Sequence, residues 1–424
     1  MIDNELISVL SVPLFMGVIG YVTNWSGVLM LFYPVEFRGF RVPGLTALAN
    51  LLPRRIQQIP GVMQGGIGWQ GIIPSRAAKM GSIAVDKGVA KIGGPGDFYE
   101  QLGPEEIAEQ ILSTARRDIR DVVERIMRRE HPRLWDELTP RMRAAVQDRV
   151  EAQLPEIVRE VTDEIGTNID HLLDIKLMVI KRIEERPELS NKIFLEVGRK
   201  ELKFIVNFGF LFGFMLGIPV AVLTEIVLHE WWLLPICGVL VGYATNLLAI
   251  WMIFQPIEPR RILGFRWQGL FLKRQKEASA KYADVISTDL VTVANIGDEL
   301  VSGPSGDRTR MVVESAMRPA VDRAAGRVAG PLRVAIGADQ YDAVRQAVAT
   351  EAVEYTIEPL RDEEFNRRQS ESIRTMISEK MAEMPPAEFS EMLRTAMRED
   401  EWLLYLHGAV LGLAGGLLHL LVFG

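Results

Sequence analysis

Four long apolar stretches interrupt a chain of 424 residues in which 24% of the residues are charged. The first contains no charged residue from Leu6 to Phe32, and the others run from Phe204 to Leu228, from Trp231 to Phe254 and from Trp402 to Phe423. A helix of about 20 apolar residues crosses the roughly 30 Å hydrocarbon core of a bilayer. The pattern therefore predicts four transmembrane helices.

The segments between these stretches carry a different pattern. Ile107, Ile111, Ile119, Val122 and Ile126 recur at helical spacing among charged residues. This spacing gives a helix one apolar stripe, which must pack against another surface. The segments therefore predict amphipathic helices outside the membrane.

Prolines indicate where several of these helices begin and end. We expect one helix to begin at Pro104, a second to run from Pro155 to Glu185, and a third from Pro359 to Met384. One continuous helix is expected from Glu188 to Leu228, and a second continuous helix beyond Pro386. The predicted fold class is an all-α membrane protein.

A short motif occurs twice and predicts an internal repeat. Residues 20–24, Gly-Tyr-Val-Thr-Asn, recur as Gly-Tyr-Ala-Thr-Asn at 242–246, an offset of 222 residues. Further along, Trp69 matches Trp267 at an offset of 198 residues. Two spans per copy return the chain to its starting side, so we predict two parallel repeats related by a pseudo-two-fold axis along the membrane normal.

The repeats are expected at residues 1–228 and 229–424. The first should contain a span at about 6–32, an interfacial loop at 33–75, cytoplasmic helices at 76–202 and a span at about 204–228. The second should contain a span at about 231–254, an interfacial loop at 255–274, cytoplasmic helices at 275–400 and a span at about 402–423. The change of offset places an excess of about 24 residues between Val42 and Gly65, predicted as an interfacial loop or a short amphipathic helix.

Basic residues near the ends of the spans predict the orientation. They lie at the ends of the two large connections: Arg38, Arg41, Arg54, Arg55, Arg199, Lys200, Lys203, Arg260, Arg261, Arg266, Lys273 and Arg274. By the positive-inside rule, both connections are expected to be cytoplasmic and both termini outside.

Composition narrows the functional classes. A net charge of −7 argues against a general nucleic-acid binder, which would carry a basic surface. The single cysteine, Cys237, excludes an intramolecular disulfide and a Cys-based zinc site, and the five histidines have no short metal-ligand spacing. No catalytic motif is present, so we expect neither an enzyme nor a bound cofactor or metal.

Thr23, Asn24, Thr245 and Asn246 are a candidate intramembrane polar site. An asparagine amide in hydrocarbon is costly unless it is hydrogen-bonded, so these side chains should face the protein interior. One interpretation is an interhelical hydrogen bond, for example from Asn24 to Asn246 across the axis. The other is a polar site or narrow pathway near the cytoplasmic end of the spans.

Trp69, Arg76, Trp267 and Arg274 are candidate contacts to lipid headgroups. They lie just beyond the membrane-proximal loops, where a guanidinium can bind a lipid phosphate. The alternative is that these residues are ordinary interfacial anchors.

Two rows of glycines at four-residue spacing predict close helix packing. The rows consist of Gly209, Gly213, Gly217, Gly408, Gly412 and Gly416. The expected partner of each row is the other row across the pseudo-two-fold axis, or the same row in a second protomer of a homo-oligomer. A substrate groove lined by glycine backbone is the alternative.

The combined motifs resemble those of a known family. Gly-Tyr-x-Thr-Asn precedes Met-Leu-Phe-x-Pro, and Trp-Gln-Gly-Ile-Ile-Pro-Ser-Arg runs from Trp69 to Arg76. In this the chain resembles the DUF445 family of bacterial membrane proteins, the YheB/YjiN-type group, over nearly its whole length. The second copy departs from the pattern between Leu270 and Arg274. The resemblance implies a multi-pass protein of the bacterial inner membrane and supplies no functional residues.

Three functional hypotheses remain. The first is a non-enzymatic protein that binds, organises or moves lipid or another amphiphile at the cytoplasmic leaflet. It rests on amphipathic helices that run directly into membrane spans. The second is a small-solute transporter or channel that acts as an oligomer, and the third is a membrane scaffold that recruits a cytoplasmic protein partner.

Overall fold

The structure is a computed structural model that describes residues 2–45, 47, 51, 53–228, 230–262, 265–325 and 337–423. It is almost entirely helical, as predicted for an all-α membrane protein. The elements of the first half are α1 Ile2–Phe32, β1 Arg38–Arg41, α2 Arg54–Gln57, α3 Pro60–Met63, β2 Gly66–Trp69, α4 Ala77–Ile83, α5 Ala90–Ile92, α6 Pro95–Gln101, α7 Pro104–Glu130, α8 Pro132–Glu137, α9 Pro140–Leu172, α10 Ile175–Glu185 and α11 Glu188–Ala221.

The second half has a similar order of elements. They are α12 Leu233–Phe254, β3 Arg260–Ile262, β4 Phe265–Trp267, α13 Leu270–Lys273, α14 Gln275–Val285, α15 Val293–Ser302, α16 Gly306–Ala325, α17 Ala338–Ile357, α18 Glu363–Glu383, α19 Pro386–Arg398 and α20 Glu401–Phe423. Short 3₁₀ turns lie at Pro74–Arg76 and Glu358–Arg361, and π-helical turns at Ala84–Val89, Val222–Leu228 and Ile286–Leu290.

The chain divides into two compact units, and each contains segments from both halves of the sequence. The membrane-spanning unit consists of residues 1–88, 180–282 and 378–424. The helical unit consists of residues 89–179 and 283–377.

The membrane-spanning unit contains the four predicted spans. Within the described residues, four helices are long and apolar enough to cross a membrane: Leu10–Phe32, Glu188–Leu228, Leu233–Phe254 and Glu401–Phe423. The continuous helix expected from Glu188 to Leu228 is confirmed, with a π turn as its last part. The continuous helix expected beyond Pro386 is wrong, because the chain turns at Glu399 and Asp400 between α19 and α20.

The spans pack as two pairs. α1 packs along α11 and α12 along α20, while contacts of α1 with α20 and of α11 with α12 join the pairs. Buried side chains from three of the spans form a common core that includes Val12, Met16, Val220, Leu234 and Val241. Many other apolar side chains of these helices, such as Leu10 and Leu240, are exposed on the outer surface, as lipid contact requires.

Both glycine rows lie at the interfaces within these pairs. In the α1–α11 pair, a Cβ at Gly213 would lie 2.5 Å from the carbonyl oxygen of Met16, and one at Gly217 would lie 2.7 Å from the Cα of Pro13. In the α12–α20 pair, a Cβ at Gly416 would lie 2.7 Å from the Cα of Pro235. The helix backbones therefore touch, which only glycine permits at this distance.

The predicted close packing is thus confirmed, but the predicted partner is wrong. The row of Gly209, Gly213 and Gly217 faces α1, and the row of Gly408, Gly412 and Gly416 faces α12. Each row is covered by the first span of its own half. It is therefore not exposed to the other row or to a second protomer.

Two β-hairpins lie between spans, where interfacial loops were expected. β1 pairs with β2 so that Arg38 is opposite Trp69, and β3 pairs with β4 so that Arg260 is opposite Trp267. The predicted 24-residue excess, Val42 to Gly65, is the connection from β1 to β2. It contains the short helices α2 and α3. The strands are three or four residues long and were missed because so short a stretch shows no period.

In the helical unit, four helices form a bundle. α9 packs on α7 and on α16, while α17 packs on α16 and on α7. α7 begins at Pro104 as predicted and buries Ile107, Ile111, Val122 and Ile126. The helix expected from Pro155 to Glu185 ends at Glu185 as predicted, but its start and its continuity are wrong. It begins earlier because Thr139 caps α9 at Met142, and it breaks at Leu173, after which α10 begins.

Candidate functional site

A large apolar cavity lies inside the four-helix bundle of the helical unit. Its volume is about 580 Å³, and it is lined by residues of α7, α8, α9, α16 and α17. Ligand pockets in proteins measure about 300–1,000 Å³ and are predominantly apolar. By size and lining, the cavity is therefore suited to a small hydrophobic molecule.

The cavity follows from the choice of inward-facing side chains. Twelve of the 28 lining residues are valine or alanine, including Ala115 on α7, Val158 on α9 and Ala352 on α17. Helices that pack in a bundle have axes about 8–10 Å apart, and larger side chains fill the space between them. Short side chains on all four helices leave that space open.

The free-energy cost of a sealed void of this size is prohibitive. At about 24 cal/mol per Å³, an empty sealed cavity of 580 Å³ would cost about 14 kcal/mol. That is comparable with the whole stability of a domain, about 5–15 kcal/mol. The cavity instead opens at the surface, where the lining residues Met142 and Val146 of α9 are 53% and 40% exposed.

Charged side chains lie at the edge of the cavity. Glu351 of α17 lines it and forms ion pairs of 3.2 Å with Arg125 and 3.3 Å with Arg129, both on α7. Two hydrogen bonds raise the pKa of Arg129 above its usual value; the one to Glu130 has the larger effect and the one to Glu351 the smaller. Arg149 of α9 is exposed, lines the cavity and has no ion-pair partner among the described residues.

Trp135 is one of the residues that line the cavity. Its side chain is fully buried, and its indole Nε1–H has no acceptor in the described part of the chain. The guanidinium of Arg143 lies over the ring, 5.7 Å from the ring centre. The Nε of Arg143 is also buried and unpartnered within the described residues, although its Nη2 donates to the carbonyl oxygen of Asp136 at 3.0 Å.

Sequence reasoning did not identify the cavity or Trp135. Its only signals were a tryptophan within the charged segment from His131 to Leu138, and apolar residues at helical spacing from Met142 to Val150. Both are typical of an ordinary packed core as well.

The predicted intramembrane polar residues lie between spans of the same half. Asn24 Nδ2 donates to the carbonyl oxygen of Ile205, and Asn246 Nδ2 donates to that of Leu404, each at 2.6 Å. Thr23 and Thr245 are buried beside them, and Thr245 donates to the carbonyl oxygen of Val241. The acceptor residues Ile205 and Leu404 are 199 residues apart in sequence, which is also the offset between the two glycine rows.

An interhelical hydrogen bond was therefore the right interpretation, but a bond from Asn24 to Asn246 was wrong. Gly209 and Gly408 explain the outcome, because a Cβ at either position would lie 2.6–2.7 Å from the asparagine Nδ2. Without that Cβ, each amide reaches the backbone of the facing helix.

Two histidines that the sequence analysis did not single out face α1 from α20. His419 Nε2 lies 3.0 Å from Ser11 Oγ, and His407 Nε2 lies 2.9 Å from Ser26 Oγ. Both pairs connect the first and last spans. A polar residue within an apolar span was the signal that could have identified them.

The predicted headgroup arginines are engaged by carboxylates. Arg76 is 8% exposed and lies 2.7 Å from Asp400, while Arg274 pairs with Glu201 and, at 2.8 Å, with Glu277. Burial raises the pKa of Asp400, whereas hydrogen bonds from Arg274 and Lys200 lower the pKa of Glu277 to about 2. The guanidinium of Arg76 is thus buried against a protein carboxylate, which replaces the predicted lipid phosphate.

The predicted headgroup tryptophans differ from each other. Trp69 is half-buried, and its Nε1 donates to the carbonyl oxygen of Met30 at 3.3 Å. Trp267 Nε1 has no acceptor among the described residues, and the Lys273 ammonium lies 5.7 Å from its ring centre. A lipid contact at Trp267 stays a prediction.

Among all the residues that the structure describes, no three His, Cys, Asp or Glu residues come close enough to hold a metal ion.

Comparison with known proteins gives short, partial similarities. Over 86 residues the chain is 31% identical to UPF0754 membrane proteins of Staphylococcus aureus, including those of strains MRSA252, JH9 and Newman. The matched stretch covers 20% of this chain and 23% of each relative, so less than a quarter of each relative's length is spanned. No family model and no solved structure matches the chain.

Proposed function

We propose that the helical unit binds a lipid or another amphiphile at the cytoplasmic leaflet of a bacterial inner membrane. The observation that carries the proposal is the apolar cavity of about 580 Å³ inside the bundle of α7, α9, α16 and α17. The protein is a membrane protein, so molecules with long apolar chains surround it.

The energetics of burial support an amphiphile as the occupant. Each methylene group moved from water into an apolar site contributes about 0.8 kcal/mol, so about ten of them contribute roughly 8 kcal/mol. That is the free energy of micromolar binding, before the cost of ordering the chain. The apolar lining offers few groups that would recognise a small polar solute.

The proposal includes two parallel repeats and a cytoplasmic location for the helical unit. The matching bonds from Asn24 to Ile205 and from Asn246 to Leu404 support the repeat, since both partners recur at the offsets found in the sequence. The basic residues at the ends of the connections support the orientation. The motif resemblance to the DUF445 family supports the bacterial inner membrane as the location.

Filling the cavity tests the proposal. Ala352 lines the cavity on α17, and the Ala352→Trp variant puts an indole into the space that the ligand would occupy. Overpacking a site costs about 1–3 kcal/mol, so bound amphiphile should fall roughly fivefold or more. The measurement is mass spectrometry of lipids and fatty acids that remain on the purified protein after stringent detergent washing.

Ala343→Trp is the matched control, because Ala343 lies on the same helix and is exposed. It should retain the wild-type amphiphile content. Equal amphiphile content in wild type and both variants would contradict the proposal. A second protein in stoichiometric amount, with bulk lipid only, would favour the scaffold hypothesis instead.

The transporter hypothesis receives less support from the geometry. The amides of Asn24 and Asn246, which suggested a polar pathway, donate to backbone carbonyls of neighbouring spans. The glycine rows, through which an oligomeric pore was expected to assemble, are covered by α1 and α12.

A further inference from the structure

The chemistry of the cavity wall at Trp135 restricts which amphiphile fits. The Nε1–H of Trp135 is buried at the cavity wall without an acceptor in the described part of the chain. A buried donor without a partner is costly, and native structures rarely leave one unsatisfied. An occupant with an acceptor next to Trp135 Nε1 would satisfy this donor.

A cation accompanies this donor. The Arg143 guanidinium lies 5.7 Å from the Trp135 ring centre, its Nε has no acceptor among the described residues, and its side chain is 27% exposed. Its nearest carboxylate is that of Asp136, 3.9 Å away and largely exposed to solvent. Arg143 is not itself a lining residue, but its guanidinium lies over the ring of Trp135, which is one, so two unpartnered donors, one of them charged, lie in this region.

Exposed lining residues of the cavity are neighbours of Arg143 in sequence. Met142 and Val146, two of the exposed lining residues, lie one and three positions from Arg143 on α9. A ligand whose apolar chain fills the bundle would place its polar end there, near water and near Arg143.

The volume restricts the number of chains. A cavity of about 150 Å³ holds benzene, which has six carbon atoms, so about 580 Å³ holds roughly 20–25 non-hydrogen atoms. One long-chain fatty acid has that size. A diacyl phospholipid is about twice as large.

We propose that the cavity binds a single-chain fatty acid, with its carboxylate accepting a hydrogen bond from Trp135 Nε1 beside the Arg143 guanidinium. The inference rests on the proposed amphiphile binding and adds the number of chains and the headgroup charge. The hydrocarbon chain extends between α7, α9, α16 and α17, and the carboxylate lies at the opening.

Equilibrium binding of radiolabelled hexadecanoate to the full-length, detergent-solubilised protein tests the inference. Unlabelled hexadecanoate, the neutral hexadecanol, cationic hexadecyltrimethylammonium and a dihexadecanoyl phosphatidylglycerol serve as competitors. Hexadecanoate should bind at one per chain, roughly tenfold more tightly than hexadecanol, since a hydrogen bond to a charged group discriminates by about this factor. The cation and the phospholipid should compete more weakly than hexadecanoate.

Three variants locate the headgroup. Trp135→Phe removes the N–H and keeps an aromatic ring, and it should weaken hexadecanoate binding roughly tenfold and hexadecanol binding clearly less, because the neutral hydroxyl is the weaker acceptor. Arg143→Gln should have the same selective effect, reduced at high salt because the residue is partly exposed. Arg141→Gln is the control, because Arg141 is an exposed arginine of the same helix, whereas Arg143 is the one whose guanidinium lies over Trp135.

The outcomes separate this inference from the proposed function. If hexadecanol and hexadecanoate bind equally and the Trp135 and Arg143 variants change neither, the carboxylate assignment is overturned while amphiphile binding stands. Phospholipid as the tightest competitor overturns the single-chain assignment. No competition by any amphiphile overturns both proposals, and selective loss in the two variants supports both.

Discussion

Arg76 and Arg274 match in the sequence at an offset of 198 residues, and each pairs with a carboxylate from the other half of the chain. Arg76 pairs with Asp400 and Arg274 with Glu201, two acidic residues that are themselves 199 residues apart. The sequence identified both arginines from their place near the membrane. It could not identify their partners, because a single sequence contains no distance between segments so far apart.

The Arg274 cluster predicts a pH dependence that can be measured. Arg274 and Lys200 lower the pKa of Glu277 from 4.5 to about 2, so the stabilisation is present above pH 4.5 and is lost as the pH falls towards 2. We expect Glu277→Gln to lower the melting temperature at pH 7, and the difference from wild type to vanish near pH 2. Thermal unfolding in detergent across this range is the measurement.

Glu258→Gln is the control for this titration, since Glu258 is an exposed glutamate of the membrane-spanning unit. It should melt like the wild type at every pH. A Glu277→Gln variant that loses as much stability at pH 2 as at pH 7 would contradict the ion-pair interpretation.

For the polar residues in the spans, too, the sequence identified the residues but not their partners. Asn24 and Asn246 were identified because an amide is conspicuous in an apolar stretch, and burial and hydrogen bonding followed from desolvation cost. The choice of Ile205 and Leu404 as acceptors depends on which helices are neighbours. That is a property of the fold, not of the residues alone.

At the scale of elements, the helix interfaces at the glycine rows tolerate the least change, because the backbones there leave no room for a Cβ. A Cβ added at Gly412 of α20 would collide with the carbonyl oxygen of Gly238 on α12. We expect Gly412→Ala to force the helices apart and to lower the free energy of unfolding by about 1–3 kcal/mol, the usual cost of overpacking. Reversible unfolding in detergent or bicelles is the measurement.

Gly27→Ala is the matched control in α1. A Cβ at Gly27 would meet the Leu404 side chain at 3.6 Å, an ordinary contact. Since glycine within a helix is less stable than alanine by about 0.5–1 kcal/mol, this variant should be neutral or more stable. Equal destabilisation by both substitutions would show that tight backbone packing is not the cause.

The helices of the cavity were predictable, whereas the cavity was not. Ile111, Val122 and Ile126 form the expected apolar stripe of α7. Their spacing is the same whether the facing helices fill the interior or leave it open. The outcome depends on the summed volume of side chains from four helices, among them the small Ala115 and Ala352, and not on any one pattern.

At the scale of the whole molecule, the ion pair of Arg76 and Asp400 connects two residues that are more than 300 positions apart in sequence. Both side chains are less than 10% exposed. Removing one partner of a buried pair leaves the other charge uncompensated, at a cost of about 3–5 kcal/mol. We therefore expect Arg76→Ala to destabilise the membrane-spanning unit by about this amount in an unfolding titration.

The double variant Arg76→Leu with Asp400→Leu is the control, because two apolar side chains leave no buried charge. It should be clearly more stable than Arg76→Ala alone. Burial already raises the pKa of Asp400, so acidification should also reduce the defect of Arg76→Ala as Asp400 becomes protonated. A double variant no more stable than the single one would contradict this account.

The four spans were the most predictable feature of the whole chain, because the hydrocarbon thickness sets a length that runs such as Leu233 to Phe254 satisfy. Spans and a separate set of helices outside them were predicted, but the segments that make up each compact unit were not. The repeat in the sequence suggested two halves in order, whereas each compact unit combines segments of both.

The pairing of α12 with α20 has a consequence for biosynthesis. α11 meets its glycine partner α1 as soon as it emerges from the ribosome, because α1 precedes it. α12 ends at Phe254, and its partner begins only at Glu401, 147 residues later. At a translation rate of about 5–20 residues per second, synthesis of this segment takes roughly 7–30 s, and the glycine face of α12 has no partner helix during that time. During translation this face is therefore exposed to membrane chaperones and to the newly made spans of neighbouring chains.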